Sequence, residues 1–376
     1  MKKAFISVGE ISGDNYGYEI VKRVRNFQWT GITGPKLKKL NVKSIEDIQN
    51  ISVVGLTEAL PKYRKIRNTF KRAVQEIENV DIVIAIDFPG FNLKLLKEAK
   101  KRGKKTVYFI PPQVWAWGKG RVKKIVKYTD VLISIFPFEE DIYKPYVSEN
   151  FRYEYVGHPL LDIVKTTESA ESFRKKLNIP KNSKIFGLLA GSRESEVNTL
   201  LPILIDTAYL LKKVFPEAFF LIPATENQYI NILSKIKKHK NLPIKVITNQ
   251  EFEYPSYEVM DKSIFSFIAS GTATLEATII GKPFSLIYKV SPITFEIGKR
   301  LVSINYLGLP NIIAGDEVVK EFLQDECRPI NLANFAIEML LNKEKYFSLK
   351  DNLAKVRKKL GNKGALDRAS KIIESL

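Results

Sequence analysis

Ile264-Phe265-Ser266-Phe267-Ile268-Ala269-Ser270-Gly271-Thr272-Ala273-Thr274-Leu275-Glu276 begins as an apolar run, breaks into small hydroxyl residues and then takes up helical spacing. A strand that turns into a helix through Ser, Gly and Thr presents unpaired backbone N–H groups and the positive end of the helix dipole to one point. That point suits a diphosphate. One helical turn further on, the carboxylate of Glu276 can accept hydrogen bonds from the two hydroxyls of an attached ribose. The stretch reads as the holder of a nucleotide-activated donor. The alternative is an ordinary core helix, for which Ser and Thr are favoured caps with no ligand at all.

Outward from this stretch, short β-branched or aromatic runs alternate with longer segments of helical period. In the first half the runs are 4–8, 81–86, 106–110, 131–135 and 153–156, and in the second 185–190, 218–222, 244–247, 264–268 and 284–288. Such alternation predicts βαβ units and an α/β fold. The expected architecture is two Rossmann-like, doubly wound parallel-sheet domains, 1–164 and 165–348. They are joined through the charged, proline-containing stretch 165–184. Residues 349–376 read as a polar, amphipathic helical segment that can pack back on the first domain.

Composition limits the function classes. The chain has 376 residues, 45% hydrophobic and 27% charged, which is globular, and no run reaches the roughly 18 apolar residues of a membrane span. Its N-terminus is too soon interrupted by Glu10 and Asp14 for a signal peptide, so a cytoplasmic location is expected. One cysteine, Cys327, and two histidines, His158 and His239, leave no soft metal-binding cluster. A formal charge of +19 calls for acidic partners: nucleic acid, an anionic membrane surface or phosphorylated substrates. The basic residues are spread along the chain and no nucleic-acid module is recognisable, so nucleic acid is not the expected partner.

Ligands of open parallel sheets bind beyond the carboxyl ends of the strands, so the residues after each run matter most. They are Gly9-Glu10-Ile11-Ser12-Gly13-Asp14, Asp87-Phe88-Pro89-Gly90-Phe91-Asn92, Pro111-Pro112-Gln113-Val114-Trp115-Ala116-Trp117, Phe136-Pro137-Phe138-Glu139, Gly157-His158-Pro159 and Gly191-Ser192-Arg193-Glu194. Ser12 and Asp14 are suited to capping the helix that follows them. The first turn is neither a dinucleotide fingerprint nor a P-loop, since the spacing and the lysine are missing. Asp87 is a carboxylate at a strand tip. Arg193 starts a helix and offers a two-pronged grip on phosphate.

As an ordered set, Gly-Glu-x-Ser-Gly-Asp, Val-Trp-Ala-Trp, Phe-Pro-Phe-Glu, Gly-His-Pro, Gly-Ser-Arg, Ser-Gly-Thr-x-x-x-Glu and Leu309-Pro310-Asn311 closely resemble the lipid-A-disaccharide synthase family over nearly the whole chain. Gly90, Ala190 and Ile11 depart from the family's usual residues; the first leaves Asp87 as the sole carboxylate at its strand tip. The resemblance implies a GT-B type glycosyltransferase with an interdomain cleft. Members transfer 2,3-diacylglucosamine from UDP to the 6-hydroxyl of 2,3-diacylglucosamine 1-phosphate (lipid X), forming the β-1,6 disaccharide of lipid A and releasing UDP. A UDP-sugar 2-epimerase, another GT-B enzyme acting on a lipid carrier and a non-enzymatic RNA or membrane adaptor are the competing readings.

Inversion at the sugar carbon needs a base for the acceptor hydroxyl and a stabilised diphosphate on the opposite side. Asp87 is the expected base, its alternative being a helix N-cap, and Glu10 is the second carboxylate. Arg193, the N–H groups around Ser270, Gly271 and Thr272, and Asn311 are expected on UDP, with Glu276 on the ribose. No Asp-x-Asp pair occurs, so neither a metal nor a cofactor is expected. His158 reads as part of a structural turn, and Trp115 and Trp117 either line an acyl-chain groove or fill the core beneath it. From Leu56 to Ile77, apolar residues recur at helical spacing among Lys62, Arg64, Lys65, Arg67, Lys71 and Arg72. Such a segment either packs on the sheet with its charges solvated or lies on an anionic membrane, and the resemblance favours the cytoplasmic face of the inner membrane. The sequence leaves the oligomeric state open, a dimer included.

Overall fold

The computed structural model describes residues 1–51, 56–116, 118–292, 295–296 and 305–376, without the side chains of residues 56–62 and 119. The chain divides into two compact units, Met1–Asp162 with Leu360–Leu376, and Ile163–Lys359.

The first unit is a seven-stranded sheet in the order β3-β2-β1-β4-β5-β6-β7. Its strands are β1 (Lys2–Ser7), β2 (Phe27–Thr33), β3 (Lys43–Asp47), β4 (Ile82–Ile86), β5 (Lys105–Phe109), β6 (Val131–Ser134) and β7 (Arg152–Tyr155). The central strand β4, Ile82-Val83-Ile84-Ala85-Ile86, is buried along its whole length because helices cover both faces of a parallel sheet. Truncating one such isoleucine to alanine costs about 2–5 kcal/mol. The helices used below are α1 (Ile11–Arg23), α2 (Leu56–Glu76) and α3 (Pro89–Lys101).

The second unit is a six-stranded parallel sheet in the order β10-β9-β8-β11-β12-β13, built from β8 (Lys184–Leu189), β9 (Ala218–Pro223), β10 (Ile244–Ile247), β11 (Phe265–Ala269), β12 (Phe284–Tyr288) and β13 (Glu321–Leu323). In each sheet the chain builds outward on one side and then returns to build on the other. The strand order therefore switches between β1 and β4 in one unit and between β8 and β11 in the other.

The helix Lys343–Lys359 belongs to the second unit, whereas Leu360–Leu376 belongs to the first. Its helix Ala365–Glu374 buries Ala365, Leu366, Ala369 and Ile373. It is fastened by the Asp162 carboxylate, which accepts from Gly364 N at 2.6 Å and Leu366 N at 3.0 Å, and by Arg368, whose Nη2 donates to Val156 O at 2.6 Å. Arg23 Nε pairs with Asp367 at 2.8 Å on the same helix.

Candidate active site

At the β1/β4 switch point the two first-unit carboxylates come together. Glu10 is the N-cap residue of α1, and its side chain makes no capping bond. Asp87 follows β4. It and Phe88 both hold left-handed backbone angles, φ 47° and 49°, although neither is glycine. Such a conformation costs of order 1–3 kcal/mol per residue and persists only where its surroundings enforce it.

Those surroundings are specific. The buried Asn92 side chain donates to Asp87 O at 2.8 Å and to Ile86 O at 3.2 Å, while its Oδ1 accepts from Ser7 Oγ at 2.6 Å. The Tyr108 hydroxyl, buried beneath, donates to the same Asp87 carbonyl at 3.0 Å. Phe88 stacks on Phe91 with centroids 5.6 Å apart and presses against Gly9, where a Cβ would lie 2.1 Å from its ring. Only glycine fits there.

The N-cap position of α3 is Phe88, so the Asp87 carboxylate is not spent on capping the helix. Burial pushes its pKa up to about 6, the neighbouring Glu10 charge adds to the rise, and the Phe88 backbone N–H draws it partly back. The arrangement makes Asp87 a basic carboxylate at the mouth of the sheet.

Asp14 does something other than capping. Its buried carboxylate accepts from Gly34 N at 2.8 Å, Lys36 N at 2.7 Å and Leu37 N at 3.2 Å, tying the loop after β2 to α1. The aromatic loops converge in the same unit: Trp115 meets Phe136 and Phe138 edge-on at 6.0 and 5.2 Å, and Phe136 lies 5.2 Å from His158. Trp115 thus packs on the Phe-Pro-Phe-Glu turn; Trp117 lies outside the described residues. Burial pushes His158 down to about 3, and its Nδ1 accepts from Leu160 N at 3.2 Å, so it is a neutral turn residue. On α2, Arg64, Lys65 and Arg67 are exposed while Thr69 and Ala73 are buried and Phe70 packs against Phe91 at 5.4 Å. The side chain of Lys62 lies outside the described residues.

In the second unit the β8/β11 switch point carries the other group. Arg193 is the N-cap of the helix Glu194–Val214. Three residues on, Glu196 folds back: Oε2 accepts from Ser192 N at 3.1 Å and Arg193 N at 3.2 Å, and Oε1 from Arg193 Nη1 at 3.2 Å. Gly191 closes this turn at φ 104°, with no room for a Cβ, which would lie 2.2 Å from Glu196 Oε2. Gln228 Nε2 pins the Gly191 carbonyl at 3.2 Å.

Across the switch, Ser270 N donates to Ile287 O at 3.0 Å and so belongs to the sheet. The expectation that it serves a ligand does not carry over to its backbone N–H. Gly271 is the N-cap of the helix Thr272–Ile280, and the first N–H groups of that helix have no acceptor within it. Glu276 lies one turn in, its residue partly covered but its carboxyl set deep; burial pushes its pKa up to about 7 while a hydrogen bond from Tyr257 pulls the other way.

Asn311 also departs from expectation. It is 1% exposed, and its amide is fully used: Nδ2 donates to Val319 O and Glu321 Oε1, each at 2.8 Å, while Oδ1 accepts from Val318 N at 2.9 Å and Val319 N at 2.8 Å. Its work is to hold the segment 307–311 against β13, together with Glu321, which accepts from Leu307 N and Gly308 N at 2.9 Å. Sequence reasoning gave no role to Asn92, Tyr108, Glu196, Gln228 or Tyr257. Of these, Glu196 and Gln228 left a local signature, an acidic or amide residue three positions after the N-cap residue of a helix, Arg193 and Thr225 respectively.

No described helix is long and apolar enough to cross a membrane. The family described as lipid-A-disaccharide synthetase matches residues 4–375. Proteins named lipid-A-disaccharide synthase from a Sulfurihydrogenibium species and from Persephonella marina are 61% and 58% identical to this chain, covering all of it and 98% and 99% of their own lengths. The crystal structure of a UDP-GlcNAc 2-epimerase from Neisseria meningitidis bound to UDP-GlcNAc aligns with a TM-score of 0.64 at 13% identity, over 100% of this chain and 99% of that one. At that identity the likeness concerns the fold alone.

Proposed function

This chain belongs to the lipid-A-disaccharide synthetase family, and from that membership we propose that it transfers 2,3-diacylglucosamine from UDP to the 6-hydroxyl of 2,3-diacylglucosamine 1-phosphate, inverting the sugar carbon and releasing UDP. The epimerase alternative gives way to full-length identity with synthases.

The observation that carries the mechanism is the strained, doubly pinned backbone at Asp87. A carboxylate freed from capping and raised to about pH 6 takes the proton of the attacking hydroxyl as the new C–O bond forms. On the donor side, the helix start at Gly271 and Thr272 and the Arg193 guanidinium offset the charge growing on the leaving diphosphate. Glu276 holds the ribose. Glu10 contacts acceptor hydroxyls and, through its charge, keeps Asp87 basic. The exposed cations Arg64, Lys65 and Arg67 meet anionic lipid at the cytoplasmic face of the inner membrane, where both substrates reside.

The direct test of this function is a mixed-micelle assay with UDP-2,3-diacylglucosamine and lipid X. UDP release that requires lipid X, with a disaccharide 1-phosphate as product, supports transfer. Interconversion of the UDP-sugar without an acceptor contradicts it.

A further inference from the structure

Tyr257 lies on the helix Pro255–Lys262, and its hydroxyl donates to Glu276 Oε1 at 3.1 Å on the helix Thr272–Ile280. Nothing in the sequence joins these residues, which are 19 positions apart. The phenol is itself held in place: its ring lies parallel to that of Tyr254, with centroids 5.6 Å apart and planes 13° apart, and Lys165 Nζ sits 5.0 Å over the Tyr254 ring. Pro255 fixes the backbone at the start of the helix between the two rings. Among the described residues, the Glu276 carboxylate accepts its side-chain hydrogen bond from Tyr257. A carboxylate offers about four acceptor positions, so the remainder can receive two ligand hydroxyls.

We infer that Tyr257 is a positioning residue for the donor nucleotide, fixing the Glu276 carboxylate in the orientation that reads the two ribose hydroxyls. The inference rests on the reading of Glu276 as the ribose acceptor and adds the group that aims it. A glutamate has three rotatable bonds, and ordering it at the moment of binding costs affinity; a hydroxyl that orders it beforehand removes that cost. The same bond favours the ionised carboxylate, the form that accepts from both hydroxyls. A hydrogen bond to a charged group is worth roughly tenfold or more in an equilibrium constant.

The experiment is calorimetric binding of UDP and of 2′,3′-dideoxy-UDP to the full chain and to Tyr257→Phe, which keeps the ring and its stacking and removes only the hydroxyl. The expected result is that UDP binding weakens about tenfold in the variant while dideoxy-UDP binding is unchanged, so discrimination between the two nucleotides falls. Adding Tyr257→Phe to Glu276→Ala should then weaken UDP binding no further. Equal weakening of both nucleotides would make Tyr257 a packing residue and overturn the inference, as would no weakening of either. If the unaltered chain binds the two nucleotides equally, the ribose role of Glu276 fails first; if it discriminates and Tyr257→Phe discriminates as well, only the role of Tyr257 fails.

Discussion

The Asn92 side-chain amide donates to the backbone carbonyl of Asp87 at 2.8 Å, so a residue buried in α3 holds the main chain that carries the strand-tip carboxylate. Asn92→Ala leaves Ser7 Oγ and the Ile86 and Asp87 carbonyls short of a buried partner, and is expected to cost about 1–3 kcal/mol of stability. It also releases the left-handed pair at 87 and 88. Turnover is therefore expected to fall further than UDP affinity, measured as kcat against the dissociation constant for UDP. Equal turnover at a temperature where the variant is folded would contradict this.

Burial, with the Glu10 charge adding to it, raises the pKa of Asp87 to about 6, and the base works in its ionised form. The rate kcat/KM should therefore rise with pH through that region. Glu10→Gln removes the like charge, lowers the pKa of Asp87 and moves the rising limb to lower pH. A limb that stays in place, or moves upward, would separate Glu10 from Asp87.

The loop Gly191-Ser192-Arg193 is held by Glu196 and Gln228, and the Arg193 side chain remains half exposed beside it. Arg193→Ala is expected to raise the donor KM by roughly tenfold to a hundredfold, the worth of a charge-assisted hydrogen bond to phosphate. With the diphosphate charge met by Arg193 and a helix start, full turnover in the presence of a chelator is expected. Activity abolished by chelation and restored by magnesium would contradict that.

The alternation of apolar runs located the strands at both switch points, because strands buried on both faces are continuous apolar runs. Three strands escaped that reading. β2 is interrupted by Gly31, β3 is the polar edge stretch Lys43-Ser44-Ile45-Glu46-Asp47, and β13 has three residues. The positions of Asp87 and Arg193 after strands, and of Glu276 one turn into a helix, were legible in the sequence. What the sequence could not display were the partners: Asn311 and Asp14 look like ligand or cap residues locally, and only long-range contacts to 318–321 and 34–37 reveal how their polar atoms are used. Tyr108 is 21 residues from the carbonyl it supports.

Arg64, Lys65 and Arg67 are exposed along α2, whose later turns are anchored by Phe70 on Phe91 and by Thr69 Oγ on Glu46 at 3.0 Å. Replacing the three cations with glutamine should lower sedimentation with anionic vesicles, by about 1 kcal/mol per charge near the surface, and leave the melting temperature nearly unchanged. Unchanged sedimentation would place membrane contact elsewhere on the chain.

Asp87→Asn retains the shape of the side chain and the backbone bonds to Asn92 and Tyr108 while removing the proton acceptor. Because folding raises the pKa of Asp87 from 3.8 to about 6, its ionised form disfavours the folded state increasingly as pH rises through that interval. The variant should accordingly melt no lower than the unaltered chain at pH 8. Its turnover of UDP-2,3-diacylglucosamine with lipid X in mixed micelles is the decisive measurement. A fall of about 10²–10⁴ in kcat with UDP affinity retained is expected of a lost general base, and near-normal turnover would remove Asp87 from the chemistry.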